Sequence, residues 1–152
     1  PILIHPGESD ELPIEEIELH YPIRIKRYEL ITDSCGAGRY RGGMAIRRDF
    51  EFPYAECSWT VLSDGRKFAP WGLMGGAEGS CARFIFDPEG EHRDLPSKCT
   101  IEVPKGGCVR VETPGAGGFG DPRERDKNAV RRDLRDGKIS IESAKAFYAI
   151  DE

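Results

Sequence analysis

Glu112-Thr113-Pro114-Gly115-Ala116-Gly117-Gly118-Phe119-Gly120-Asp121-Pro122 contains the literal spacing G-x-G-x-x-G, and its reading decides the fold. The spacing follows an alternating apolar segment that reads as a strand, as a dinucleotide fingerprint would. Such a fingerprint also needs a helix opening at once, a second parallel strand, and an acid about twenty residues on. Here Asp121-Pro122 follows, the next helical pattern starts only near Asp126, and the chain ends before a Rossmann unit is complete. No Walker A pattern occurs anywhere. The segment therefore reads as a glycine loop in a β-rich protein.

Two more glycine windows share that character. Of 18 glycines in 152 residues, 14 fall in residues 36–43, 72–79 and 106–120. Each glycine permits a positive φ or a close backbone approach at an entropic cost. The windows read either as tight turns joining strands or as loops whose bare amides line an anion.

Between the windows the apolar period is two. Ile23 and Ile25 alternate with Arg24 and Lys26; the phase slips at Arg27 and resumes through Tyr28 and Leu30, which predicts a bulge or a change of partner sheet. Met44, Ile46, Phe50 and Phe52 share one strand face, with Ala45, Arg47, Asp49 and Glu51 on the other. Cys57, Trp59 and Val61 alternate in a third strand, and 83–86 is a short fourth closed by Asp87-Pro88-Glu89-Gly90. Cys99, Ile101 and Val103 form a fifth and Val109 and Val111 a sixth, and the four residues 104–107 between them predict a hairpin. Toward the end, Asp126 is an N-cap for a helix over 127–136 ended by Gly137. Ser140 caps a second over 141–149, with Ile141, Ala144, Phe147 and Tyr148 at helical spacing. The expected fold is mainly β, a sandwich or barrel-like sheet with glycine-rich loops, followed by two short C-terminal helices. Its parts are an extended arm over 1–22, a β domain over 23–122 and a helical segment over 123–152. Pro1, Pro6, Pro13 and Pro22 break the arm, whose apolar residues from Ile2 to Leu19 need a surface to lie on.

Composition narrows the function. The net charge is −5 with both signs mixed along the chain, which argues against a nucleic-acid partner. The basic group 123–135 is interleaved with acids and reads as a solvated helix face. No apolar run approaches the ~20 residues of a membrane span, and Pro1-Ile-Leu-Ile4 has no basic region or cleavage site of a signal peptide. Five widely spaced cysteines without Cys-x-x-Cys pairs read as reduced thiols in a cytoplasmic protein, Cys57 and Cys99 as small apolar strand residues. A zinc site assembled from dispersed Cys and His is the alternative.

The polar group worth naming is Ser63-Asp64-Gly65-Arg66-Lys67, with Lys98 as a second candidate. Arg66 and Lys67 suit a carboxylate or phosphate, and Asp64 suits orienting them or binding a metal. Surface turn chemistry with internal salt bridges is the competing reading. No histidine, nucleophile elbow or acid–base carboxylate pair accompanies them, so no catalytic, cofactor-binding or metal-ligating residue is assigned. Asp64, Arg66, Lys67, Trp71 and Lys98 stand as site-lining or interface candidates.

Taken together, five segments resemble the hydantoinase B/oxoprolinase family. They are Tyr28-Glu-Leu-Ile-Thr-Asp-Ser-Cys-Gly-Ala-Gly-Arg-Tyr-Arg-Gly-Gly43, Leu62-Ser-Asp-Gly-Arg-Lys-Phe-Ala-Pro-Trp-Gly-Leu-Met-Gly-Gly76, Leu95-Pro-Ser-Lys98, the opening segment 112–122, and Asp133-Leu-Arg-Asp-Gly-Lys-Ile-Ser-Ile-Glu142. They occur in family order. In that family they close a much longer chain, whereas here they make up the whole of it, without the upstream metal-binding histidines and acid of acetone carboxylase relatives. The resemblance therefore implies a small structural subunit completing a larger hydantoinase B-like chain. The assembly it implies is a multisubunit ATP-dependent ketone carboxylase of the acetophenone or acetone carboxylase kind. The alternatives are an ATP-dependent hydantoinase or oxoprolinase, a non-enzymatic scaffold, and a fragment of an ordinary single chain. The implied partners are that larger chain and an ATP-binding hydantoinase A-like subunit. ATP and a divalent metal are expected in the partners and no cofactor in this chain. The 1–22 arm and Trp71 are the expected contact surface.

Overall fold

The computed structural model describes residues 13–150. Most of the expected 1–22 arm lies outside them. The part inside is a short helix, α1 (Ile14–His20), not extended chain. The prolines bracket this turn of chain rather than break it. Pro13 precedes the helix and its carbonyl accepts from Glu16 and Ile17 N–H, Glu15 and Glu16 favour the N-terminal end, and Pro22 falls beyond the last turn.

Seven strands follow: β1 (Arg24–Leu30), β2 (Ile46–Glu51), β3 (Cys57–Leu62), β4 (Arg83–Phe86), β5 (Arg93–Asp94), β6 (Lys98–Val103) and β7 (Cys108–Glu112). They form an antiparallel five-stranded sheet in the order β1-β2-β7-β4-β5 and an antiparallel pair β3-β6. Neither closes on itself, so the sandwich form of the expected fold is the one adopted. The phase slip in β1 is a bulge: Ile25 opposes Phe50, Arg27 opposes Asp49, and Lys26 is the extra residue.

The predicted hairpin over 104–107 does not form. β6 pairs with β3 and β7 with β2 and β4, so the turn carries the chain from one sheet to the other. Gly107 N–H closes the turn on the Pro104 carbonyl, while Gly106 N–H donates to the Phe52 carbonyl and Phe52 N–H to that of Gly107, tying the turn to the end of β2. Spacing that suits a hairpin suits a sandwich corner equally well.

The two sheets meet through Phe52, Val61, Leu95, Val103 and Val109, flanked by Phe50, Cys57, Trp59, Phe84, Phe86, Cys99 and Ile101. Trp59 lies against both Phe50 (5.2 Å) and Phe52 (5.8 Å). Side chains of this size each stabilise the fold by about 1.5–3 kcal/mol when buried. Cys57 and Cys99 are half-buried against this core, as the strand pattern suggested.

The opposite face of the large sheet is not the solvated polar face that alternation predicts. Asp49 is buried and accepts a bidentate pair of bonds from Arg110 (both 2.8 Å), its register partner on β7. Arg47 bonds Glu112 (Nε 3.0 Å), also buried. Cross-strand pairing of opposite charges lets these strands keep polar residues on a covered face.

After a single 3-10 turn (Pro122–Glu124) come α2 (Lys127–Arg135) and α3 (Ile141–Tyr148), capped by Asp126 and Ser140 as predicted. Val130, Ala144 and Tyr148 are buried with Ile139 and Ile150 against Ala37, beside Cys35, Ala77 and Leu134. Ile141 and Phe147 remain exposed, so the buried face of α3 is the narrower Ala144–Tyr148 pair. The basic group 123–135 is not wholly solvated either, because Arg125 is half-buried and donates to buried Asp133 (2.7 Å).

Candidate functional site

The glycine windows include turns at 104–107 and 73–76, but they do more than turn the chain. They interlock. Gly36 N–H donates to the Ala116 carbonyl (2.8 Å), Ala77 to Ala37 (2.7 Å), Ser80 to Ser34 (3.0 Å) and Leu73 to Gly118 (2.9 Å). In the opening motif, Gly115 N–H donates to the Ser80 carbonyl, Ala116 to Gly43, Gly118 to Ala77, Phe119 to Tyr40 and Gly120 to Leu73. Those amides are spent inside the protein. The glycines serve close approach: a Cβ on Gly115 would lie 1.7 Å from the Ser34 carbonyl oxygen, and one on Gly117 would lie 2.0 Å from that of Trp71. The result is a bundle of bare backbone, with the helices packed on one side through Ala37 and Ala77.

A small ionic cluster fastens those helices. Buried Asp133 accepts from Arg41 Nε (2.8 Å), in the first glycine window, and from Arg125 Nη2 (2.7 Å). Burial works against the charged form of Arg41, yet the hydrogen bond and charge of Asp133 outweigh it and raise the Arg41 pKa. Burial pushes the neighbouring Cys35 thiol up. Lys127 also donates to the Tyr148 carbonyl, joining α2 to the end of α3. This cluster holds elements together and presents no exposed reactive group.

Two surface features remain. One is an open groove of about 500 Å³ lined by Arg66, Lys67, Asp94, Pro96 and Ser97. The Ser63 N–H bond to the Ser97 carbonyl (2.9 Å) brings its two walls together. Of the candidates from sequence, the groove takes in Arg66 and Lys67. Asp64 is exposed outside its lining, Lys98 stands opposite Leu62 at the start of β6, and Trp71 lies elsewhere. Asp94 was missed because its strand is two residues long, too short for any periodicity, and it faces Arg83 (3.5 Å). Arg66 Nη1 is buried without a hydrogen-bond partner, and Lys67 Nζ sits 5.4 Å over the Phe68 ring. Two cations, one carboxylate and a serine suit binding an anion at the rim, and they contain no acid–base pair. Among the described residues no group of three His, Cys, Asp or Glu stands together to hold a metal.

The other feature is apolar. The loop after the groove exposes Phe68, Trp71, Leu73 and Met74, and Leu73 and Tyr40 each bridge to Phe119, with the Tyr40 and Phe119 rings 6.4 Å apart. Trp71 is 78% exposed and Met74 80%. Solitary exposed apolar residues are ordinary on protein surfaces, but a cluster of this size is not.

Comparison with known proteins places the whole arrangement. The chain is 42% identical over 138 residues to an uncharacterised protein of Methanocaldococcus jannaschii, covering 91% of this chain and 24% of that one. It is 39% identical over 141 residues to the B-type subunit of a putative D-/L-hydantoinase from a Pseudomonas species, with the same coverages. The chain thus spans about a quarter of the length of these relatives. Among solved structures, an ATP-dependent caprolactamase from Pseudomonas jessenii superposes with a TM-score of 0.74 at 31% identity, over 91% of this chain and 25% of that one. A nucleotide-free acetone carboxylase superposes with a TM-score of 0.68 over 93% of this chain and 23% of that one; at 22% identity it shares the fold. The sequence profile of the hydantoinase B/oxoprolinase family matches residues 2–122, which takes in the strands and all three glycine windows, and the chain belongs to that family.

Proposed function

We propose that this chain is the structural closing portion of a hydantoinase B-like body in an ATP-dependent enzyme that opens cyclic amides. The observation that carries the reading is the match of nearly the whole chain to a quarter of two longer polypeptides. One is the B-type component of a putative hydantoinase, at 39% identity, and the other the beta component of a caprolactamase, at 34%. The chain's own part is mechanical: it closes a sandwich, fixes the glycine bundle and presents a groove and an apolar shelf to the remainder. Catalytic groups would lie in the larger hydantoinase B-like portion, nucleotide in a hydantoinase A-like subunit, and a divalent metal in these partners. When bound there, ATP would supply the phosphoryl group that activates the substrate oxygen. Five free thiols suit a reducing, cytoplasmic setting.

A second reading is an ATP-dependent ketone carboxylase acting on a substrate such as acetone or acetophenone; the fold likeness to acetone carboxylase favours it. One assay separates the two. The chain is combined with its hydantoinase B-like and A-like partners, and ATP hydrolysis is followed with hydantoin, 5-oxoproline or caprolactam, and separately with acetone or acetophenone plus bicarbonate. Cyclic-amide-dependent turnover is expected. Turnover that requires ketone and bicarbonate would establish the second reading, and turnover with neither would sink both.

A further inference from the structure

Residues 68–77 run Phe-Ala-Pro-Trp-Gly-Leu-Met-Gly-Gly-Ala, ten positions without a charge in a chain that is 32% charged. Four of them, Phe68, Trp71, Leu73 and Met74, are large, apolar and exposed, and Tyr40 and Phe119 extend the same shelf. Aromatic residues and methionine with charge depleted are the composition of an interface centre.

The shelf is also held rigid. Leu73 N–H donates to the Gly118 carbonyl and its own carbonyl accepts from Gly76 and Gly120, while Gly79 N–H donates to Pro70. Met74 is fixed at φ 51° with its side chain in water, a left-handed backbone state that is unfavourable for a non-glycine residue. Presenting apolar side chains on a fixed backbone lowers the ordering cost of binding.

We infer that this shelf is the surface on which the rest of the hydantoinase B-like body docks. The inference rests on the function proposed above and names its contact. The relatives are about four times longer than the part this chain matches, so in them a large body of the same fold family accompanies this module. That body accompanies the module in any assembly built like theirs, and the uncharged, apolar shelf is suited to be its contact.

The test compares four single variants of the full chain, each mixed with the polypeptide supplying the remaining three quarters of its own hydantoinase B-like body. Trp71→Asp and Met74→Asp disrupt the shelf. Leu62→Asp is the control, since Leu62 is as exposed as Trp71 (78% each) but sits on β3 outside the shelf. Association is measured by sedimentation, and burial of Trp71 by acrylamide quenching, read as the difference between wild type and Trp71→Phe. Losses of at least tenfold in affinity are expected for the two shelf variants, with the control unchanged and Trp71 shielded in the complex. If the wild type binds and the shelf variants bind equally well, the docking surface is wrong while the proposed function stands. If the wild type does not bind at all, both fall. Self-association abolished by Trp71→Asp, with no binding to the larger polypeptide, would assign the shelf to a second copy and overturn the inference.

Discussion

A methyl group on Gly115 would overlap the Ser34 carbonyl oxygen, and both partners are backbone, so neither can swing away. Gly115→Ala should lower unfolding free energy by about 3 kcal/mol, the upper range for overpacking, as measured by urea titration. Gly106 is the contrast. A Cβ there meets nothing within 4 Å, but φ is +80°, so Gly106→Ala should cost only ~1 kcal/mol, from backbone strain alone. The Cys108 thiol is pushed up to about 11, first by burial and then by the charge of Asp49. At pH 8 its thiolate is scarce, and peptide mapping after brief iodoacetamide treatment should find Cys108 largely unmodified in the folded protein. Strong labelling of Cys108 under native conditions would refute that environment.

Among the elements, α3 is held at its start by a residue from far away in sequence. Asp33 Oδ1 accepts from Ser140 N–H (2.8 Å), and Thr32 Oγ1 donates to the Gly137 carbonyl (2.7 Å). Burial alone would raise the Asp33 pKa, but bonds from the Ser143 and Ser140 side chains and the Ser140 amide outweigh it and hold it below the usual aspartate range. A carboxyl lowered on folding contributes stability above its unfolded pKa of about 3.9, and that contribution is lost as pH falls through the folded value. The gap in urea midpoint between wild type and Asp33→Asn should therefore be widest near neutrality and close below about pH 4. The ionic clasp on α2 should be costlier to break. Asp133→Ala leaves Arg41 and Arg125 without their shared partner, a loss of roughly 3–5 kcal/mol for a buried pair, and hydrogen exchange should rise first across 127–150.

The elements also show what sequence alone can and cannot say. The β1 slip and the caps at Asp126 and Ser140 were legible because each is local: a phase change of one residue, or a side chain bonding its own helix. The hairpin failed because turn spacing carries no record of which sheet the next strand joins. Buried Asp49 was invisible for a related reason, since its partner Arg110 is 61 residues away and only strand pairing brings them together. Of the candidate site, Arg66 and Lys67 were found from their charge and Trp71 from its place beside turn residues. Asp94 and the joining of Tyr40, Leu73 and Phe119 depend on tertiary geometry.

For the molecule as a whole, a sandwich core and a helical layer meet through a region that has almost no side chains. That region draws on residues near 36, 76 and 117, and the bonds between its windows join residues far apart in sequence. During synthesis the first window therefore gains its last partners only when the third has left the ribosome, by which time most of the domain has been made. Closure of such long loops precedes any reward from the contacts they permit. The uncharged shelf at 68–77 is thus unanchored while residues 78–120 are being made, and over that interval its apolar side chains are open to other partners in the cell.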